Sequence, residues 1–227
     1  MQHVVRLLST LALKGAMSRL AFDYQAGMSV RIDADFAPTL ALLKRLRDGE
    51  TADVVILTRE GLEELAAESA VAAASKVDLA RSYVGIAVKA GSLHPDISTE
   101  PALRTALLTA RSVAYSQIGA SGIFFADLIK RLGIATEINA RATITSGFTA
   151  ERLITGEADL AVQQISELKQ VAGVDIVGPI PYELQTPAVF SAGRMAASRQ
   201  AAQADAFLTY LASKEAAPAL RSSGLEP

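Results

Sequence analysis

Short runs of aliphatic and β-branched residues alternate with longer stretches of helical period along this chain, and the alternation runs through once and then starts again. Residues 3–8 read as a strand, 11–25 as a helix closed by Gly27, and 29–33 as a second strand. A helix follows over 38–48, starting on Pro38 and stopping before Gly49, and then a buried apolar strand over 53–57. This β-α-β-α-β order calls for a mainly parallel sheet with helices on both faces, because parallel neighbours must be joined by crossover connections. The second series places strands at 83–88, 112–115, 142–145, 159–163 and 175–177, with helices at 123–132 and 149–155. A last strand at 188–192 leads into helices at 199–212 and 214–222.

An internal echo ties the two series together. Residues 46–55 read LRDGETADVV and 153–162 read LITGEADLAV. Each ends a helix, turns on Gly-Glu and enters a strand through Ala-Asp; glycine accepts the left-handed conformation of a helix end and the acidic residues hold the turn. Ordinary helix-to-strand turn chemistry can produce one such echo, but its placement in both halves points to two similar lobes. The expected fold class is therefore α/β, with two lobes, each a mainly parallel sheet flanked by helices.

In open sheets of this kind ligands bind beyond the carboxyl ends of the strands, where helices begin and backbone amides point outward. Hydroxyl-bearing and glycine-bearing residues recur at those junctions: Ser9-Thr10, Thr39 and Thr58 in the first half, and Ala120-Ser121-Gly122, Ser146 with Phe148, and Gln163-Gln164 in the second. Ser and Thr are also favoured N-caps that satisfy a helix without any ligand. The repetition of such junctions, with glycine allowing close backbone approach and two side-chain amides added, points to a cradle for a carboxylate or oxyanion. Such a cradle needs no cationic side chain, because a helix N-terminus offers partial positive charge and unsatisfied donors. Lys14 and Arg152 lie about one helical turn inside two of these junctions and could add charge, but both read first as solvated helix residues.

Other functional classes find little support. The net charge of -2 is made of intermixed acidic and basic residues, which leaves no basic face for a nucleic-acid backbone. With no cysteine in the sequence there are no disulfides, thiolate metal sites or cysteine nucleophiles. Of the histidines, His3 and His94, the second sits in a Gly/Ser/Pro-flanked stretch that reads as a surface loop. GxSxG, HExxH, Walker and GxGxxG patterns are absent, and Glu60, Glu63 and Glu64 read as one solvated helix face. No catalytic residue, cofactor or metal ligand is expected from the residues; Tyr115 is the nearest conceivable acid or base and reads also as a core aromatic. No apolar run reaches the ~18 residues of a membrane span, so no membrane insertion is expected. The first ten residues carry no export signal, which implies a cytoplasmic protein if Met1 is the native start.

The order of LLSTLALKGAMSRL, DGETADVVILT, QIGASGIFFADLIKRLGI, GEADLAVQQISEL and TPAVFSAGRM resembles the bacterial extracellular solute-binding proteins of the type II periplasmic fold, in their molybdate-binding-protein-like branch. The likeness covers nearly the whole chain. It implies a first lobe of residues 1–82 and 187–227, a second of 83–186, and a two-segment hinge that closes around ligand. It also implies periplasmic localisation, a monomer, a small anionic ligand held in the cleft between the lobes, and an ABC permease as partner. Oxyanion contacts carried over from the family fall on Ser9, Thr39, the Ala120–Gly122 turn, the neighbourhood of Phe148, and Gln164. Molybdate binders usually have a tyrosine where this chain has Gln164, and the glutamine pair is more similar to members that take organic acids, including aconitate isomerase. Capture of an organic carboxylate or an oxyanion such as molybdate for uptake is thus the leading expectation. A cofactor-independent isomerase of a small tricarboxylate is the alternative, and a regulatory effector-binding domain ranks last.

Overall fold

The computed structural model describes residues 3–227. In chain order the elements are β1 (His3–Ser9), α1 (Lys14–Gly27), β2 (Val30–Phe36), α2 (Thr39–Arg47), β3 (Val54–Thr58), α3 (Arg59–Ala67), β4 (Val77–Ser82), β5 (Val84–Lys89), α4 (Glu100–Thr109), β6 (Val113–Tyr115), α5 (Ala120–Arg131) and α6 (Ala135–Asn139). They continue with β7 (Ala142–Ile144), α7 (Glu151–Ile154), β8 (Leu160–Gln164), α8 (Ile165–Leu168), β9 (Val174–Pro179), β10 (Ala188–Arg194), α9 (Ala201–Leu211) and α10 (Ala217–Ser222). The chain divides into two compact units, residues 1–82 with 188–227, and residues 83–187.

In the first unit the sheet order is β2-β1-β3-β10-β4. β1 pairs in parallel with β2 and β3, whereas β10 is antiparallel to both β3 and β4, so four of the five strands share one direction. The second unit repeats this plan as β7-β6-β8-β5-β9, with β5 as the reversed strand. The reversal is the departure from simple β-α-β alternation: β5 and β10 each open a passage through a unit, and a strand arriving without a crossover helix from its neighbour is free to pair antiparallel.

Helices cover both faces, as the apolar pattern requires. Val5, Leu7, Val54 and Ile56 pack with Met17, Leu20, Phe207 and Leu220 on one face of the first sheet, and Leu8, Val55 and Leu57 pack with Leu42, Leu43, Leu62 and Leu65 on the other. Burial on both sides explains why β3 is continuously apolar rather than alternating. In the second unit α4, α5 and α6 bury Leu103, Phe125 and Ile138 against Val113 and Val162, while α7 and α8 place Leu153 and Leu168 against Ala114 and Ala161.

The sequence echo has a structural cause. Gly49 and Gly156 adopt φ of +98° and +75°, which ends α2 and α7. Glu50 then binds Arg45 and Arg6 at 2.6 and 2.7 Å, and Glu157 binds Arg152 at 3.0 Å. Asp53 and Asp159 each accept a backbone N–H from the neighbouring strand or its approach, Arg6 at 2.9 Å and Arg111 at 2.8 Å, so the acid of each Ala-Asp pair fixes where its strand joins the sheet.

Several expected boundaries shift. The stretch after β1 enters through a 3-10 turn at Leu11–Leu13 before α1 begins. The helix expected over 149–155 shrinks to the four residues of α7, and α5 starts three residues earlier than its apolar period suggested. The helix α4 and the strand β4 were not anticipated; α4 is capped by the Thr99 side chain accepting from Ala102 N at 3.3 Å and carries Pro101 in its first turn.

Candidate functional site

Parallel pairing brings the carboxyl ends of β1, β2 and β3 to one edge of the first unit. Ser9 lies beside Phe36 and Ile56 in register. The strand ends are stitched by Thr10 N donating to Ile56 O at 2.9 Å and Ala37 N donating to Ser9 O at 3.1 Å. Ser9, Thr10, Thr39 and Thr58 are all buried on this edge, and each can be traced to a local role. The Ser9 hydroxyl donates to Thr10 O at 3.2 Å. Thr39 reaches over the end of β1, and its Oγ1 accepts the Thr58 N–H at 3.3 Å. Thr58 Oγ1 accepts from Gly61 N at 3.3 Å and caps α3.

Capping occupies an acceptor lone pair of Thr58 and leaves its O–H to donate. Thr58→Ala is expected to lower unfolding free energy by about 1 kcal/mol, the usual worth of an N-cap, measured by urea denaturation.

The second unit collects the remaining residues at the carboxyl ends of β6, β7 and β8. After β6 the Ser116 hydroxyl accepts from Ile118 N and Gly119 N, each at 3.2 Å, and folds the chain back over the start of α5. That fold sets the Ser116 carbonyl so close to Gly122 that a Cβ there would lie 1.5 Å from the oxygen. Ser121, 2% exposed, begins the same helix, and its hydroxyl makes no hydrogen bond to any described residue. Ser116 thus organises the 117–122 junction from one residue outside it. Before and after Ser121 in sequence, Ile118 and Ile123 are 38% and 43% exposed.

The loop after β7 is held by Gln163. Its Oε1 accepts from Thr149 N at 2.8 Å and from Thr149 Oγ1 at 3.1 Å, and its Nε2 donates to Gly147 O at 3.1 Å. Gln163 is therefore a scaffold for this loop, on which Ser146 is exposed and Phe148 half-buried. Gln164, 2% exposed, ends β8 and serves as the N-cap position of α8.

One titratable group on this edge is absent from the expectations drawn from the sequence. Glu167 is buried at 7% exposure, three residues after Gln164. Burial pushes its carboxyl up to about 8, against the pull of hydrogen bonds from the Gln164 backbone and the Gln163 side chain. The spacing is that of a capping box, in which an acid at the third helical position reaches back to the N-cap amide, and that pattern in Gln164-Ile165-Ser166-Glu167 was the available signal.

The other titratable candidates lie elsewhere. Tyr115 is 3% exposed, packs on Phe125 at 5.2 Å between ring centroids and donates its hydroxyl to Asn139 Oδ1 at 2.6 Å, a core role. Arg152 is paired with Glu157, and Lys14 is exposed at the first position of α1. His94 approaches Asp175 at 3.7 Å, at the opposite end of β5 from the edge just described. Among the described residues no helix is long and apolar enough to cross a membrane.

Two α/β units share one strand order, and each presents buried hydroxyls or amides at the carboxyl ends of its parallel strands. The chain belongs to the family of bacterial extracellular solute-binding proteins, whose model matches residues 5–226. It is 37% identical over 228 residues to an aconitate isomerase from a Pseudomonas species, covering 97% of this chain and 87% of that protein. In fold it is similar to the periplasmic molybdate-binding protein of Azotobacter vinelandii, with a TM-score of 0.84 at 17% identity over 98% of this chain and 99% of the other. The sulfate-binding protein of Mycobacterium tuberculosis gives a TM-score of 0.79 at 17% identity, covering 99% and 87% respectively.

Proposed function

We propose that this chain captures a small organic polycarboxylate of the aconitate class, with hydrogen-bond donors supplied by the strand-end edges of its α/β units. The observation that carries this reading is at the start of α5: the Ser121 side chain is buried there, and Ile118 and Ile123, within three residues of it in sequence, are exposed. A ligand with both anionic and hydrocarbon surface matches that pairing, whereas a bare tetrahedral oxyanion has no use for the isoleucines. The 37% identical relative named aconitate isomerase supports the same ligand class.

The donors we assign to the ligand are Ser9, Thr10, Thr39 and Thr58 in the first unit and the Ala120–Gly122 turn, Ser146, Phe148 and Gln164 in the second, with Gln163 acting through the loop it holds. In the leading reading the protein is a receptor that works in the periplasm beside an ABC permease. Isomerisation is the second reading, favoured by the same relative and by the buried carboxyl of Glu167, a group able to hold a proton near the edge.

Thermal melting separates the ligand classes. Citrate, cis-aconitate or trans-aconitate at millimolar concentration is expected to raise the melting temperature by several degrees, since ligand at about a hundred times Kd adds about 2.7 kcal/mol. A shift with molybdate alone would overturn the polycarboxylate reading. Proton NMR of trans-aconitate incubated with the protein then separates receptor from isomerase, through the presence or absence of the cis isomer.

A further inference from the structure

We propose that Glu167 is a positioning residue that couples ligand capture on the second unit's edge to the uptake of one proton from solvent; this inference rests on the anion-capture reading above. Its geometry is that of a hub. The carboxyl meets the backbone N–H of Gln164 and the side-chain amide of Gln163, and that amide in turn holds Thr149 and Gly147. One buried group thus touches the supports of two of the three strand-end junctions on this edge.

The repeat within the chain separates this role from ordinary capping. β3 and β8 occupy the same place in their sheets, and each is followed at once by a helix, with Thr58 and Gln164 as the N-cap residues. Three residues on, the first unit has Gly61, close enough to Thr39 that a Cβ would lie 2.8 Å from its methyl carbon, and the second unit has Glu167. The fold is complete in the first unit with no acid at that position. A capping glutamate also ordinarily keeps its carboxylate in water, whereas Glu167 is buried.

Among the described residues no opposite charge compensates it. α8 packs on β8, β5 and β9. β8 carries no ionisable side chain, and Lys89 of β5 and Asp175 of β9 lie at the strand ends remote from Gln164. Tyr83, whose carbonyl accepts from Ile165 N, turns its ring against Tyr182 at 4.9 Å, and Lys169 at the end of α8 is exposed. On the loop side Glu151 is exposed and Arg152 is bound to Glu157. The proton affinity of Glu167 is set by burial, which holds it near pH 8.

An anion placed on this edge repels an ionised Glu167 and favours its neutral form. Binding therefore draws a proton from solvent onto the carboxylate, and affinity falls as rising pH removes that proton.

The test is calorimetric titration of the full chain with trans-aconitate, whose carboxylates are already ionised, between pH 7 and 9.5 in two buffers of different ionisation heat. Wild type is expected to take up a fraction of a proton that grows toward one through pH 8, with affinity falling up to tenfold per pH unit above it. Glu167→Gln keeps the shape and a capping amide, and is expected to bind with no proton uptake linked to this position and a flat affinity over the same range. Identical pH profiles and proton uptake in wild type and variant, with binding intact, would overturn this inference alone. No binding of trans-aconitate, cis-aconitate or citrate at any pH would overturn the polycarboxylate reading and this inference with it.

Discussion

Replacing Gly122 with alanine is expected to unfold the start of α5 and to abolish ligand capture. The added Cβ would meet the Ser116 carbonyl oxygen at 1.5 Å and its carbon at 2.4 Å, both backbone atoms that no side-chain rotation can move. Ser116 cannot easily retreat, because its hydroxyl holds the Ile118 and Gly119 amides and β6 lies immediately before it. The first turn of α5 must move instead, and with it Ser121. A cost of about 3 kcal/mol or more in unfolding free energy is expected, measured by urea denaturation. Ligand affinity should fall at least about a hundredfold, since that factor corresponds to only about 2.7 kcal/mol. Gly119→Ala is the internal control. A Cβ there meets nothing nearer than Ser116 Oγ at 3.5 Å, and its φ of -90° suits any residue, so a cost below about 1 kcal/mol is expected.

The second large effect is on pH. Glu167 has its carboxyl raised to about 8 in the folded chain against an ordinary value of 4.5, so between those values the folded state holds one proton more than the unfolded state. Stability from this group is complete below about pH 4.5, falls through the window as pH rises, and levels off once Glu167 ionises in the fold. The full swing is on the order of 5 kcal/mol. Other acids act with the opposite sign at lower pH. Glu50 is held near 2 by Arg45 and Arg6, Asp35 is lowered by Arg45, and Asp78 is lowered by the Ser191 hydroxyl and Arg59. Their stabilisation is lost progressively as pH falls from the ordinary carboxylate values toward the lowered ones. Melting curves from pH 5 to 8.5 should therefore show wild type losing stability relative to Glu167→Gln as pH rises; parallel curves for the two proteins would contradict the burial argument.

The sequence made the architecture readable where period and punctuation agreed. Gly49 and Gly156 end their helices, the Ala-Asp pairs enter β3 and β8, and continuous apolar runs mark strands covered on both faces. It did not reveal the reversed direction of β5 and β10, because periodicity carries no information about the direction in which a strand pairs. It also passed over β4, whose Asp78 and Arg81 interrupt the apolar pattern.

Within the candidate site, the hydroxyl and glycine junctions were legible as strand ends. Their internal duties were not, since Thr58 as a cap and Gln163 as a loop anchor depend on partners 3 and 14 residues away in sequence. Glu167 is the clearest case. A glutamate in a short polar-looking segment reads as solvated until packing shows that β8, β5 and β9 enclose it. Ser116 was hidden similarly, standing one residue past the expected strand end at 115 and before the Ala120–Gly122 turn.

A crystal structure of the protein grown with cis- or trans-aconitate tests the central claim most directly. The account predicts the tricarboxylate held at the strand-end edges, on Ser9 and Thr39 or on Ser121 and Gln164, with its carbon chain against Ile118 or Ile123. Ligand bound away from these strand ends, for instance in the groove of about 950 Å³ beside α4 lined by Val88, Leu93 and Ala106, would contradict it.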